Sequence, residues 1–215
     1  MWAKLNSDKD TIEEIIVHPK SMTVDGITHP RTLFSLWTDA ERKAIGVVPV
    51  TITGTSLDSR YYIEKNEAFA IAGDKNSVVR TIGEKAADRK LEDEDAKDQD
   101  GNKLKDKDGN QVINYGLKTN AKNKATTDAN GLLQGFDWLI QRKVTADTAI
   151  PSDVITYMAA IRTDHKAICD AIDGASDLDA FIALHNDTYK GDGTVDVVAR
   201  VNRWTDDKDV KQHRR

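Results

Sequence analysis

Asp98, Asp100, Asp106 and Asp108 stand in an acidic, aspartate-rich stretch whose side chains could ligate a metal. Hard cations such as calcium take clustered carboxylate oxygens, so the run invites comparison with a calcium-binding loop. The spacing fails that comparison. A twelve-residue calcium loop starting at Asp106 needs glycine at its sixth position, where Gln111 stands. With Gly101 or Gly109 in that position, the first ligand becomes Ala96 or Leu104. Asp100-Gly101-Asn102 and Asp108-Gly109-Asn110 read instead as two solvated turns.

The five histidines, His18, His29, His165, His185 and His213, fall in separate segments without paired ligand spacing. His165 and Cys169 stand four apart on one helix, which is half of a zinc site with no second pair in view. A packed cysteine beside a half-exposed histidine is the better expectation. No nucleophile elbow, phosphate loop or dinucleotide fingerprint occurs; Gly191-Asp192-Gly193 lacks the third glycine and follows a helix rather than a strand. A Ser-His-Asp triad is defined by geometry, and only a structure can test one. The sequence predicts a protein that is not an enzyme, with no catalytic residue, no metal and no cofactor.

Aromatic side chains are more informative. Trp2 and Trp37 belong with the core of a β-rich region. Trp138 lies between Phe136 and Leu139 but off their apolar row, next to Asp137 and near Arg142. Such an indole is either an interface anchor or part of a second packing layer, and the sequence weighs the two equally. If 132–143 is one helix, five residues separate Leu133 from Trp138, which places them about 140° apart around the axis. Something must then cover the outer apolar row. Trp138, Arg142, Tyr157 and Arg162 are the candidate contact residues for another protein chain.

These residues need elements to hold them. Residues 1–83 are expected to form a β-rich domain with one short helix. Asp25-Gly26 between Val24 and Ile27 predicts a tight hairpin. Tyr61–Glu64 and Ala68–Ile71, flanking Lys65-Asn66-Glu67, predict a second one. Val47–Ile52 is β-branched, and Pro49 suggests an edge strand. Thr38 and Glu41 have capping-box spacing, and Gly46 can end the helix between them. Residues 84–116 form a charged, turn-rich arm. Within 84–110, 17 of 27 residues are charged, too many to build a core. Residues 117–190 read as a helical hairpin: one helix through 132–143, a second from an N-cap at Ser152 to Gly174, and a short third capped by Ser176. Residues 191–215 read as a loosely held polar tail.

The 215-residue chain has a net charge of −5 without a basic half, so it carries no electrostatic footprint for nucleic acid. Cys169 is the only cysteine, which excludes an intrachain disulfide. No run approaches the roughly 20 apolar residues of a membrane-spanning helix. The opening Met1-Trp2-Ala3-Lys4-Leu5-Asn6 lacks a signal-peptide core. Synthesis and use in a cytoplasm, or in a particle assembled there, is expected.

Two stretches carry a resemblance. Thr32-Leu33-Phe34-Ser35-Leu36-Trp37-Thr38-Asp39-Ala40-Glu41-Arg42, continuing to Ile45-Gly46-Val47, resembles the start of small tail-associated proteins of tailed bacteriophages. Leu132-Leu133, Asp137-Trp138, Arg142, Ile150-Pro151, Tyr157 and Ile161-Arg162 together resemble the helical region of tail-fibre and tail assembly chaperone proteins. Met158 and Ala159 stand where those families carry more polar residues, and the arm at 84–110 has no counterpart there. The resemblance implies no cofactor and no reaction. It implies a structural protein of the virion tail, in the baseplate or tail-fibre region, that works through protein contacts. Its partners would be other tail proteins and copies of itself, in an oligomeric particle assembled in the host cytoplasm. The alternatives are an assembly chaperone that leaves the particle, a host-glycan binding module with aromatics on one β face, and an enzyme with converging His, Asp or Ser. The expected fold class is α+β.

Overall fold

Strands occupy the first part of the chain and long helices the second, which makes this an α+β protein. The computed structural model describes residues 1–214. Its contacts separate two units, Met1–Asp88 and the chain from Arg89 onward.

In the first unit, β1 (Trp2–Leu5) and β2 (Ile12–Ile16) pair antiparallel. β3 (Met22–Val24) and β4 (Ile27–His29) form the hairpin that Asp25-Gly26 specifies. Both turn residues take positive φ, 48° and 79°, whose twist suits flanking antiparallel strands. A short α1 (Leu33–Leu36) precedes α2 (Asp39–Ala44). The capping box of α2 is complete: the Glu41 amide donates to Thr38 Oγ1 at 3.3 Å, and the Thr38 amide donates to Glu41 Oε2 at 2.7 Å. Gly46, at φ 77°, leads into β5 (Val47–Thr53). A Cβ there would lie 3.1 Å from the Leu5 carbonyl oxygen.

The strand containing Pro49 is central, not an edge. β5 lies between β1, antiparallel, and β8 (Val78–Thr81), parallel. Its partners are staggered, which explains the tolerance. β1 pairs with residues 47–49, and β8 takes over from Val50, so Pro49 has a neighbour on one side only. The second predicted hairpin does not form either. β6 (Tyr62–Glu64) pairs with β9 (Lys85–Asp88), and β7 (Ala68–Ile71) pairs with β8. Glu64 opposite Lys85 and Ala68 opposite Thr81 belong to one continuous register, so residues 62–88 make a single long hairpin interrupted at 65–67. A boundary at residue 83 would cut this ribbon. The sheet order is β2-β1-β5-β8-β7. Val47 packs on one face with Ile16, Leu33 and Phe34, and Val48 on the other with Ala3, Leu5 and Val78. Alternation along one strand thus serves two layers.

The charged arm is built into the second unit from Arg89 on. β10 (Glu94–Asp95) pairs with β11 (Ile113–Asn114), and two tighter hairpins nest between them. The eight-residue repeat closes on itself: the amides of Ala96, Leu104 and Val112 donate to the carbonyls of Val112, Ala96 and Leu104 at 2.8–3.0 Å. Ala96 is buried where these three legs meet.

The helices are α3 (Leu117–Gln134), α4 (Asp137–Ala146), α5 (Ser152–Asp173) and α6 (Leu178–Ala183). The polar stretch before Gly131 is a full helix, and its antiparallel partner is α5. Ala125 and Ala129 are buried on α3, while Lys122 pairs with Asp173 at 2.7 Å and Thr126 Oγ1 lies 3.0 Å from His165 Nε2. Residues 132–143 are therefore not one helix. The chain breaks at Gly135-Phe136, so the angle between Leu133 and Trp138 expected for a continuous helix does not apply. Two caps differ from expectation as well. Ser152 is the first residue of α5 and makes no capping bond; Asp177, not Ser176, accepts the Ala180 amide at 2.8 Å for α6. A small hairpin, β12 (Thr188–Tyr189) with β13 (Val195–Val197), follows.

The tail beyond it is not loose. Val210 is 2% exposed and Trp204 packs beside it against Phe136, Leu139, Val154, Tyr157 and Ile161. Arg214 donates to the Leu132 carbonyl at 3.1 Å and pairs with Asp207 at 2.7 Å, while the Thr205 amide donates to Asp164 at 2.7 Å. A polar composition hides two apolar anchors spaced by six.

Candidate protein interface

Trp138, Arg142, Tyr157 and Arg162 do not share one surface. Trp138 is half-buried against the Phe136 cluster, and its Nε1 donates to the His213 carbonyl at 3.0 Å. Arg142 covers the ring, with its guanidinium carbon 5.0 Å from the indole centroid, and its Nε is buried without a hydrogen-bond partner. Trp138 therefore joins α4 to the chain's own tail, the second-layer role. Tyr157 is 4% exposed, with its ring centroid 5.6 Å from that of Phe136. Its hydroxyl is buried without a partner, and burial pushes its pKa up. The Tyr157 ring is thus turned into the chain's own core and contributes only a small area to the surface. The C-terminal tail supplies the cover that the apolar row of α4 and α5 demands.

Arg162 is different. It is exposed on α5 and leans back on its own helix, Nη1 to the Met158 carbonyl at 3.4 Å. It borders a groove of about 650 Å³ between the end of α3, the start of α4 and α5. Leu133, Ile140 and Met158 give that groove its apolar lining, and Asp137 and Gln134 share its polar rim with Arg162. Ile140 is 41% exposed, and Val144 on the same helix is 80% exposed. An apolar strip with an Arg and a Met, edged by amides and one carboxylate, has the composition of a protein interface. Leu133 and Ile140 are apolar in the sequence, but the groove between them and Met158 depends on the break at Gly135, which their spacing does not announce.

A second cleft of about 350 Å³ lies between α5 and the tail, lined by Ser152, Asp153, Tyr157, Thr205, Asp209 and Val210 among others. His213 Nε2 stands 3.3 Å from Asp153 Oδ2 nearby. A nucleophilic triad also needs a hydroxyl bonded to the imidazole. No hydrogen bond joins Ser152 to His213 among the described residues. Cys169 Sγ lies 3.5 Å from His165 Nε2, and burial raises the thiol pKa, which disfavours the thiolate that metals and electrophiles require.

In the arm, Asp98 Oδ1 accepts the amides of Asp100 and Asn102 at 2.9 and 2.8 Å, and Asp106 repeats this with Asp108 and Asn110. The carboxylates are thus directed into their own turns. Among the described residues, no three His, Cys, Asp or Glu side chains come close enough to hold a metal. Of the exposed tyrosines, Tyr115 follows β11 outside any strand and Tyr189 lies in β12, so the two do not share a sheet face.

Compared with known proteins, the chain matches no family model, no curated protein and no solved structure.

Proposed function

We propose that this chain is a non-enzymatic structural protein of a bacteriophage tail, in the baseplate or tail-fibre region, held there by protein contacts. The groove carries the reading: Leu133, Ile140 and Met158 form an apolar strip beside exposed Arg162, open to an extended or helical segment of another chain. The tail family comes from the sequence resemblance of 32–47 and 132–162, and Leu133, Ile140, Met158 and Arg162 of the groove fall in the second of these stretches.

Quantitative mass spectrometry of purified virions tests the assignment. A tail component is present in a fixed ratio to the other tail proteins. Absence from virions that need the chain for assembly would turn the reading into a chaperone, and absence with no effect on assembly would remove the phage assignment. The groove is tested separately with Arg162→Glu and Ile140→Glu. Both change exposed positions, so melting should move by no more than about 0.5 kcal/mol equivalent, while incorporation into tails should fall at least tenfold. Normal incorporation of both variants would place the contact elsewhere.

A further inference from the structure

The two edges of the five-stranded sheet are built differently. The β2 edge carries Glu13 and Glu14, paired with Lys4 at 2.8 Å and with Lys20, and its pairing with β1 has an irregularity at Lys4/Leu5. Charges and bulges are the usual guards of an exposed edge. The opposite edge, β7, reads Ala68-Phe69-Ala70-Ile71, with no charge, no proline and an unbroken register against β8. Among the described residues no strand lies on its other side.

Its hydrogen-bonding groups can be assigned. Ala72 donates to the Ser77 carbonyl at 2.9 Å, continuing the ladder in which Ile71 faces Val78. In an antiparallel pair the bonded positions alternate, so Ala70 and Ala68 turn their backbone groups to β8. Phe69 and Ile71 turn theirs outward. The side chains of Phe69 and Ile71 share the sheet face that packs on Ala3, Leu5, Val48 and Val78, and both stay only half-buried there. Ala68 and Ala70 are exposed on the other face.

We propose that β7 is a self-association edge, where a second copy of this chain adds antiparallel about a two-fold axis at Ala70. In that register Ala70 faces Ala70 of the second copy, and Phe69 faces Ile71 of the second copy. Phe69 and Ile71 then exchange their free backbone hydrogen bonds across the axis. Their side chains meet on the core face as an aromatic and β-branched pair, a favourable cross-strand combination. The small side chain at the axis keeps the outer face unobstructed. An axis normal to the sheet preserves its faces, so the Val48–Val78 layer runs on from one copy to the next. This surface lies wholly in the first unit and is independent of the groove in the helical unit.

Sedimentation velocity over a rising concentration of the full chain tests it, with the expected mass approaching twice 23.9 kDa. Ala70→Glu sets two carboxylates opposite each other at the axis yet leaves each in solvent in the monomer. It should weaken association at least tenfold, and Ala70→Thr should not. Across the axis Ala70 forms a non-bonded pair with its Cα atoms about 4.5 Å apart, within disulfide reach. In a Cys169→Ser background, Ala70→Cys should therefore cross-link under mild oxidation. A wild-type chain that keeps its single-chain mass at every concentration overturns the proposal. So does a dimer that Ala70→Glu leaves unweakened, or one in which Ala70→Cys gives no cross-link. Where Ala70→Glu alters the circular dichroism spectrum, cross-linking decides.

Discussion

Trp138 and Tyr157 present the same problem at the residue scale, a large aromatic with one polar atom inside a core, and the fold solves only one of them. The indole N–H reaches the His213 carbonyl, while the Tyr157 hydroxyl is buried with no partner. An unsatisfied buried polar group costs its desolvation. Tyr157→Phe removes that cost and keeps the ring against Phe136, so the variant should be more stable, by about 1 kcal/mol. Thermal or denaturant unfolding measures this, and a destabilised Tyr157→Phe would show that the hydroxyl has a partner in solution. In the sequence both are large aromatics among apolar residues, Trp138 between Phe136 and Leu139 and Tyr157 between Val154 and Ile161. What separates them is the tail, which arrives from more than 50 positions further along the chain in the case of Tyr157 and 70 in the case of Trp138 (His213 and Val210 supply the contacts). Side-chain type announces a need for a partner. It does not say which end of the chain provides one.

Among the elements, those closed by local bonds could be read directly and those closed by distant pairing could not. The α2 capping box and the Asp25-Gly26 turn involve residues within three positions of each other, so composition and spacing settle them. Tyr61–Glu64 and Ala68–Ile71 have good strand composition, yet their partners are β9 and β8, since strand composition carries no record of register. The arm shows the local case most fully. Asp98 and Asp106 are held below the ordinary carboxylate range, first by the Asn102 and Asn110 amides that donate to them. A group whose pKa is depressed on folding contributes stability above its unfolded pKa and loses it as pH falls through the folded value. Hydrogen-exchange protection of the Asn102 and Asn110 amides, corrected for intrinsic rate, should therefore hold at neutral pH and decay below the usual carboxylate range. Asp98→Asn keeps an acceptor that does not titrate. Its Asn102 amide should lose the acid dependence while Asn110 retains it. Equal acid loss at both amides in Asp98→Asn would separate these turns from the carboxylates.

At the scale of the whole molecule, the ends of the two units are where the sequence reading went furthest astray, because both ends look dispensable by composition. Lys85–Asp88 belongs to a charged run, yet it is the partner strand of β6. Residues 204–214 are largely polar, yet Val210 and Trp204 complete the cluster around Phe136 and Ile161. Val210 is a buried member of that cluster and Trp204 packs against it, so both close the layer over Phe136 and Ile161. Full burial of a valine is worth about 1.5–3 kcal/mol, and a tryptophan offers more area, against a total of roughly 5–15 kcal/mol for a domain. Fragment 1–88 should accordingly melt cooperatively, and fragment 1–83 should melt lower because β6 loses its partner. Fragment 89–215 should fold without the first unit. Fragment 89–203, which ends one residue before Trp204, should lose cooperative melting or bind a hydrophobic dye while its far-ultraviolet circular dichroism stays helical, since α3 and α5 still pair through Ala125, Ala129 and Lys122–Asp173. A fragment 89–203 that melts as high as 89–215 would mean that the core of the helical unit closes without its tail.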